Sequence, residues 1–300
     1  MTSPADRALA HVRGLFPAPG PFGRAPITVS FHPDRLLADG STVAARLAAE
    51  GVYRTQFETG ISNGGLGGDR PAWEERMFPG VYAGSVGRPV YGGLNLAGYP
   101  DGASPRFGSC HLMLRPEVSG RATFSHGDSV TSPAVVGTAD AFGAVWAALL
   151  AEVTERGQAL NLPAVTPEAW VAALDAPRTA AGRALDDYVE AQIHGGVTLS
   201  ADVAAVVADP SFRGTAYEPL LRSLAPELRW SPGFRLAPGA FPAGLRGDEV
   251  PPLAAEIAET YGVAELDAEV IGRAARGPAS RLQLIKYLWH ILVLLGRPAC

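Results

Sequence analysis

Cysteine is scarce in this 300-residue sequence, which contains Cys110 and Cys300 and no Cys-x-x-Cys pair. That scarcity argues against both a disulfide framework and a structural zinc ribbon. A surplus of basic residues is also absent, since the formal net charge is −5 and the sequence pI is about 5.7. We therefore expect no generally basic surface for nucleic acid, while a local basic groove is compatible with this charge.

Segments that would direct the chain to or through a membrane are missing as well. The first residues contain no basic segment followed by an apolar one, so we expect no signal peptide. The most apolar stretch, residues 285–296, contains Lys286 and His290 and is too short to span a bilayer. With 47% hydrophobic and 18% charged residues, the composition is typical of a soluble globular protein. We predict a cytoplasmic protein with a buried C-terminal helix.

Common catalytic motifs are absent too. The glycine-rich segment at residues 60–68 contains neither the GK[ST] of a P-loop nor a GxGxxG dinucleotide fingerprint. No GxSxG marks a nucleophile elbow, and Ser109 lies within a predicted strand. No HExxH or i, i+4 spacing supports a metal site, so we predict none. The residue types alone would allow a metal cluster, whose members would be His32, His111, His194 and Glu190.

Hydrophobic patterning predicts an α+β fold whose strands gather in the first half of the chain. A Pro/Gly-rich connector (residues 1–20) precedes an α+β core (residues 21–215), and a helical lobe (residues 216–300) follows it. The predicted strands are residues 27–32, 52–59, 89–98, 106–118 and 121–129. The predicted helices before the lobe begin near Thr42 (with Ser41 as N-cap), Asp69, Thr138 and Thr166.

Residues 186–199 permit two interpretations. Apolar and polar residues alternate there, which is typical of a strand, while the spacing also fits the end of a helix. We favour a strand from about Tyr188, because Gly195-Gly196 and β-branched residues follow it. The strand would place Glu190 and Gln192 on one face, where a carboxylate among neutral polar groups can orient a ribose hydroxyl or act as a base.

Other candidate ligand contacts gather at strand ends and in the glycine-rich segment. His32 ends a predicted strand, where a histidine can hold a ligand by hydrogen bond. Arg54 can bind a phosphate bidentately, although an ion pair with Glu50 or Glu58 fits the sequence equally. The glycines allow backbone N–H groups to turn toward a phosphate or an amide, and the alternative is a plain long turn. The remaining polar candidates are Gln56, Thr59, Ser62, Asn63, Tyr91 and Arg106.

Long blocks of this sequence resemble an uncharacterised bacterial family that carries a domain of unknown function. The blocks are FHPDR, QFETGISNGG, YGGLNL, PRFGSCHL and EAQIHG. The resemblance spans residues 27–215 and continues more weakly through RWSPGFRL. It implies membership of that family and no particular chemistry.

A more distant resemblance concerns the ADP-ribosyltransferase fold, particularly the enzymes that modify nucleic-acid bases and the RNA 2′-phosphotransferases. A strand ending in a polar residue, a short helix, a GGL-bearing loop and a later EAQIHGGVTL follow the order of that fold. Glu190 resembles the carboxylate that opens a late strand, with Gln192 at the second position of a Glu-x-Glu pair, and His32 resembles the first-strand histidine. The resemblance implies a split mixed and antiparallel sheet with a helical insertion and a helical C-terminal lobe.

The same resemblance implies an NAD-consuming enzyme, such as a toxin or effector, that transfers ADP-ribose to an unknown protein or nucleic acid. It implies Glu190 and His32 as catalytic residues. The residues implied to contact NAD are Arg54, Gln56, Thr59, Ser62, Asn63, Tyr91, Arg106 and Gln192. Two alternatives stay open: a non-catalytic nucleotide- or partner-binding protein, and a metal-dependent hydrolase of a phosphorylated small molecule with Glu190 or Glu58 as base.

Overall fold

The computed structural model describes residues 2–59, 69–82, 87–183 and 185–299, and only the backbone of Gln56 and Phe57. The strands are β1 (Ile27–Phe31), β2 (Val52–Tyr53), β3 (Val90–Leu94), β4 (Cys110–Leu114), β5 (Ala122–His126), β6 (Val136–Thr138), β7 (Gln158–Ala159), β8 (Leu162–Pro163), β9 (Val189–Ile193), β10 (Val197–Thr198), β11 (Val203–Ala208) and β12 (Leu228–Trp230). The helices are α1 (Pro4–Leu15), α2 (Val43–Glu50), α3 (Gln56–Thr59), α4 (Asp69–Met77), α5 (Gly143–Arg156), α6 (Pro167–Leu174), α7 (Leu199–Asp202), α8 (Tyr217–Ser223), α9 (Val250–Tyr261), α10 (Ala268–Ala274) and α11 (Leu282–Leu295).

Eight of these strands form one mixed sheet in the order β12-β11-β4-β1-β3-β9-β5-β6. Every neighbouring pair is antiparallel except β11 and β12, which are parallel. The short strands pair separately, β2 with β10 and β7 with β8. The α+β class expected from the sequence is therefore confirmed, because the described residues form a large mixed sheet and about 11 helices.

Strict alternation along the strands gives this sheet two different faces. Residues directly opposite each other on antiparallel strands point to the same side. One face is apolar and contributes to the main core, as shown by the buried side chains of Val29, Leu112, Phe124 and Ala191. The other face carries buried polar side chains in the centre of the sheet, namely Thr28, Thr123, Ser125, Thr138, Glu190 and Gln192.

Helices cover the sheet and bury their apolar stripes. In α5, Val145, Leu149 and Val153 are buried at helical spacing, and the helix packs against β5 and β6. The C-terminal helix α11 is the buried helix that the sequence predicted, and the indole N–H of its Trp289 donates to the carbonyl oxygen of Pro105 at 3.0 Å. No helix in the described ranges is both long enough and apolar enough to cross a membrane.

The main errors of the sequence-based prediction lie between residues 41 and 59. The predicted strand at 52–59 ends at Tyr53, because the Glu58 carboxylate accepts the backbone N–H of Thr55 at 2.8 Å and its hydroxyl at 2.9 Å. This bond pattern at the N-terminus of α3 starts a helical turn instead. The N-cap of α2 is Thr42 rather than Ser41, since its hydroxyl accepts the N–H of Ala45 at 3.3 Å.

Several other predicted elements agree with the structure apart from their ends, but the predicted connector at residues 1–20 contains the helix α1. The strand predicted from about Tyr188 is confirmed as β9, which Gly195 and Gly196 follow with φ angles of 82° and 78°. Thr166 caps α6 through its hydroxyl, as predicted. Arg106 was placed in a strand, but it lies in a 3-10 turn before β4. The strand β12 lies where the sequence indicated helices, and it completes the sheet beside β11.

Candidate functional site

A cavity of about 340 Å³ opens where β1 ends and β3 begins. Its walls come from β1, β3, β9, α2, α10, α11 and the loops that follow β1 and β5. That size is typical of small-molecule pockets. Six cationic side chains and three carboxylates line it among the described residues, so its lining is more positive than the chain as a whole. These residues are Arg35, Arg46, Arg54, Arg70, Arg106 and Lys286, with Asp34, Asp128 and Glu190.

Most of the described candidate residues from the sequence meet in this cavity. The residues that line it are His32, Arg54, Thr59, Tyr91, Arg106 and Glu190. Gln192 does not line it. Ser62 and Asn63 lie outside the described residues, as does the side chain of Gln56. Thus β1, β3 and β9, which are adjacent in the sheet and distant along the chain, bring His32, Tyr91 and Glu190 to one site.

Glu190 is held at the cavity wall by three donors. Its side chain is 2% exposed, and Oε1 accepts the backbone N–H of Ser129 at 3.1 Å and the amide of Gln192 at 3.0 Å. The hydroxyl of Tyr188 donates to Oε2 at 3.3 Å. Burial, and after it the charge of the nearby Asp128, raise the pKa of Glu190 to about 7. The carboxyl therefore titrates near neutral pH.

Gln192 positions this carboxylate from outside the cavity, which corrects its predicted role as an NAD contact. Its amide nitrogen also donates to the hydroxyl of Ser125 at 3.0 Å, and its amide oxygen accepts from Thr123 at 2.8 Å. The row of neighbours on the polar sheet face thus fixes the orientation of Gln192. Because the side chain of Gln192 is completely buried, it contacts Glu190 rather than a ligand.

Arg70 connects Glu190 to a second carboxylate, Asp128, which Arg106 also contacts. The guanidinium of Arg70 lies 3.7 Å from Glu190 Oε2 and 3.4 Å from Asp128 Oδ1, and it donates from Nε to the Ser129 hydroxyl at 2.8 Å. Arg106 donates to the other oxygen of Asp128 at 3.0 Å and also pairs with Asp186. These shared partners place both arginines at the cavity beside Glu190.

The close packing over the sheet next to Glu190 depends on a glycine. Gly93 on β3 is paired with both Thr28 and Glu190 across the sheet. A Cβ at this position would approach the Cβ of Ala103 to 2.8 Å, which is closer than real side chains come. The absence of a side chain at Gly93 therefore allows the loop before the Pro105 turn to pack directly over the polar sheet face.

His32 follows the last residue of β1, as the sequence indicated. Its Nδ1 lies 3.4 Å from the Ser109 hydroxyl, and its ring meets Trp289 edge-on with the ring centroids 5.2 Å apart. Burial, together with the charge of Arg35, lowers the pKa of His32 to about 4. The imidazole is therefore neutral at pH 7 and can donate or accept one hydrogen bond to a ligand.

Two other predicted contacts already have protein partners. Arg54 pairs with Glu50 at 2.7 Å and Glu58 at 3.1 Å, so the ion-pair alternative describes the structure. The hydroxyl of Tyr91 donates to Glu74, and Arg70 lies 4.3 Å from the Tyr91 ring centroid.

The histidines whose residue type would allow a metal cluster with Glu190 do not form one in the structure. Nδ1 of His194 lies 2.5 Å from the Tyr82 hydroxyl and Nε2 lies 3.2 Å from the Thr123 hydroxyl, so both its nitrogens have protein partners. His111 packs against Gly102 outside the cavity. Within the described ranges, no group of three or more His, Cys, Asp and Glu side chains could hold a metal ion.

Several cavity residues were not singled out from the sequence. Asp128 and Arg70 form the ion-pair network, Asp34 and Arg35 follow His32 after Pro33, and Lys286 reaches the cavity from α11. Only Lys286 has a signal in the sequence itself, because it is the sole lysine among 25 basic residues. The other four depend on contacts between segments that are far apart along the chain.

The chain belongs to the family described as "Protein of unknown function (DUF3626)", which matches residues 26–295. The family resemblance predicted from the sequence is therefore confirmed, and the match extends past RWSPGFRL, where the weaker part of that resemblance ended. A curated relative, the "Gene 2 protein" of Mycobacterium phage L5, is 30% identical over 166 residues, which is 54% of this chain. The aligned part spans 59% of that relative.

Proposed function

We propose that this protein is an ADP-ribosyltransferase-like enzyme that cleaves the nicotinamide–ribose bond of NAD and transfers ADP-ribose to a macromolecule. The observation that carries the proposal is the meeting of His32, Tyr91 and Glu190 in one cavity, on adjacent strands of one mixed sheet. His32 follows the end of β1 and Tyr91 lies near the start of β3, at the same end of the sheet, while Glu190 is paired with Gly93, two residues further along β3. The finer assignment of the sheet to the ADP-ribosyltransferase fold is part of this proposal.

The surroundings of Glu190 suit its proposed role, which is to stabilise the transition state of C–N bond cleavage. When the glycosidic C–N bond breaks, nicotinamide leaves with the bonding electrons and the ribose C1′ gains oxocarbenium character. The Glu190 carboxylate accepts a hydrogen bond from the ribose 2′-hydroxyl and stabilises the positive charge that develops nearby. An acceptor nucleophile then bonds to C1′ and releases its proton. The three donors that hold Glu190 maintain its direction throughout.

The remaining groups would bind and orient the dinucleotide. The neutral imidazole of His32 can hydrogen-bond a ribose hydroxyl or the carboxamide without placing a positive charge beside the cationic nicotinamide ring. Tyr91, with its hydroxyl turned to Glu74, offers its ring as a wall. The excess of cationic side chains in the cavity favours a ligand with negatively charged phosphates.

The test is release of nicotinamide from NAD labelled in its nicotinamide ring, measured with purified protein in the presence of cell extract. Glu190→Gln keeps the size and the hydrogen-bonding shape of the side chain but removes its charge, so we expect release to fall by about 100-fold or more. The matched control is Glu152→Gln, at a partly buried glutamate that pairs with His126 and Arg156 outside this cavity, and this variant should retain activity.

Two results would contradict the proposal. If wild-type protein binds NAD by calorimetry but releases no nicotinamide with any extract, the cavity belongs to a non-catalytic binding protein. If Glu190→Gln releases nicotinamide at the wild-type rate, the carboxylate has no part in the reaction.

A further inference from the structure

The sole lysine of this sequence lies in the cavity. All other basic residues of the chain are arginine, and Lys286 stands on α11 with its side chain partly buried at the cavity wall. Lysine differs from arginine in carrying a compact, strongly hydrated ammonium group on a flexible stem. Burying part of such a group is costly unless it gains a partner.

No such partner is present in the part of the chain that the structure describes. Arg46, Arg54, Arg70 and Arg106 each pair with carboxylates, whereas no carboxylate lies within ion-pair distance of Lys286. Asp128 is the acidic group that acts on Lys286 electrostatically, but its two oxygens already accept from Arg70 and Arg106.

The neighbours of Lys286 are themselves positive. Burial lowers the pKa of Lys286, and the charges of Arg106 and Arg246 lower it further. Arg35, which is far from Lys286 along the chain, also lines the cavity. It has no ion pair among the described residues. Lys286 and Arg35 thus line the cavity without ion pairs among the described residues, and Arg106 adds a further positive charge near Lys286. Such a lining is complementary to an anion.

We propose that Lys286 marks a phosphate-binding subsite of the cavity that takes the diphosphate of a dinucleotide. A phosphoryl group bears negative charge at neutral pH and would give the Lys286 ammonium the anionic partner that it lacks among the described residues. The identity of the ligand as a dinucleotide rests on the proposed NAD-consuming function, while the anion site itself follows from the charges of the cavity.

Binding of three probes tests this subsite by calorimetry: inorganic pyrophosphate, ADP-ribose and nicotinamide, the last of which has no phosphate. Lys286→Gln should weaken pyrophosphate and ADP-ribose binding by about tenfold or more, the loss of one charge-assisted contact, and leave nicotinamide binding unchanged. Lys286→Arg keeps the charge and should bind both phosphate probes more tightly than Lys286→Gln. The control is Arg222→Gln, an exposed arginine that pairs with Glu218 outside the cavity.

The uniqueness of Lys286 allows a second, independent measurement on the unaltered protein. Acetylation of lysine by an amine-specific reagent, read by mass spectrometry of the peptide from α11, reports on this one side chain. Saturating pyrophosphate or ADP-ribose should slow the acetylation severalfold, while nicotinamide should not. This measurement requires no variant to fold.

The subsite and the proposed enzyme can fail separately. Equal binding of pyrophosphate and ADP-ribose by wild type and Lys286→Gln, with no protection from acetylation, would overturn the subsite whatever the protein does to NAD. Conversely, protection of Lys286 by both phosphate probes in a protein that never releases nicotinamide would support the subsite and refute the proposed turnover.

Discussion

Glu190 and Asp128 share one cation: Nη2 of Arg70 lies 3.7 Å from Oε2 of Glu190 and 3.4 Å from Oδ1 of Asp128. The two carboxylates are both almost fully buried, and the charge of Asp128 raises the cost of ionising Glu190. The pKa of Glu190 is raised to about 7 by burial first and by Asp128 second, while Arg70 opposes the shift. This balance makes the protonation state of Glu190 sensitive to pH and to its neighbours.

Ionisation of Glu190 should cost stability as the pH rises. A carboxyl whose pKa is higher in the folded than in the unfolded state binds more protons when folded, so stability is lost between pH 4.5 and about 7. The neutral variant Glu190→Gln escapes this loss. Its free energy of unfolding in urea should therefore exceed that of wild type by up to about 3 kcal/mol at pH 8, with little difference at pH 4.5.

Glu218→Gln is the control of opposite sign. The backbone N–H of Gly214, followed by Arg222, lowers the pKa of Glu218, so its contribution to stability is present at pH 8 and is lost in acid. This variant should be less stable than wild type at pH 8 and similar at low pH. A Glu190→Gln protein whose stability difference did not change with pH would show that Glu190 is not a shifted, buried carboxyl.

Removing Arg70 should move the titration of Glu190 to higher pH. The guanidinium favours the ionised carboxylate, so Arg70→Met should raise the pKa of Glu190 above its wild-type value and destabilise the protein by about 3 kcal/mol or more. Carbon-13 NMR of glutamate-labelled protein measures this pKa, with Glu190→Gln identifying the resonance. Arg156→Gln, which disrupts a pair with Glu152 outside the cavity, is the control and should leave the Glu190 resonance unchanged. An unchanged Glu190 pKa in Arg70→Met would contradict the prediction, because it would mean that Arg70 does not stabilise the ionised carboxylate.

Gly272 should not tolerate a side chain. It lies within α10 against the Asp34 carboxylate, and a Cβ at this position would overlap the carboxyl group. Gly272→Ala would ordinarily gain about 1 kcal/mol of helix propensity, but here we expect a net loss of about 1–3 kcal/mol in the free energy of unfolding. The measurement is urea unfolding.

Two further variants separate the contact from the helix. In an Asp34→Gly background, the same Gly272→Ala change should be neutral or stabilising, because its neighbour has been removed. Gly120→Ala, at a glycine with open space where a Cβ would lie, should be tolerated in wild type. Equal losses from Gly272→Ala in both backgrounds would mean that the two residues do not meet.

Local patterns predicted the part of the site that lies on strands. Alternation and the following glycines predicted β9, and with it the placement of Glu190 and Gln192 on one face. His32 was predicted correctly at the end of β1 for the same reason. The depth of the cavity was not predictable in this way, because alternation shows which residues share a face and not which element covers that face.

The rest of the site depends on contacts that no local pattern contains. The ion pairs of Arg70 join α4 to the loop after β5, and Lys286 comes from a helix that begins almost 100 residues after Glu190. The error at residues 52–59 had a local signal, the Thr-x-x-Glu of Thr55 and Glu58, which was outweighed by β-branched and aromatic residues around it. The hydrogen bonds between Thr55 and Glu58, rather than the β-propensity of the neighbouring residues, determine the helical turn in this segment.

A structure of the complex with an uncleavable carbocyclic NAD analogue tests the central claim most directly. We predict that the nicotinamide end lies inside the cavity, with the 2′-hydroxyl of its carbocycle about 2.6–3.2 Å from the Glu190 carboxylate. A phosphate of the analogue should face Lys286. An analogue bound with that hydroxyl turned away from Glu190, or bound anywhere outside this cavity, would contradict it.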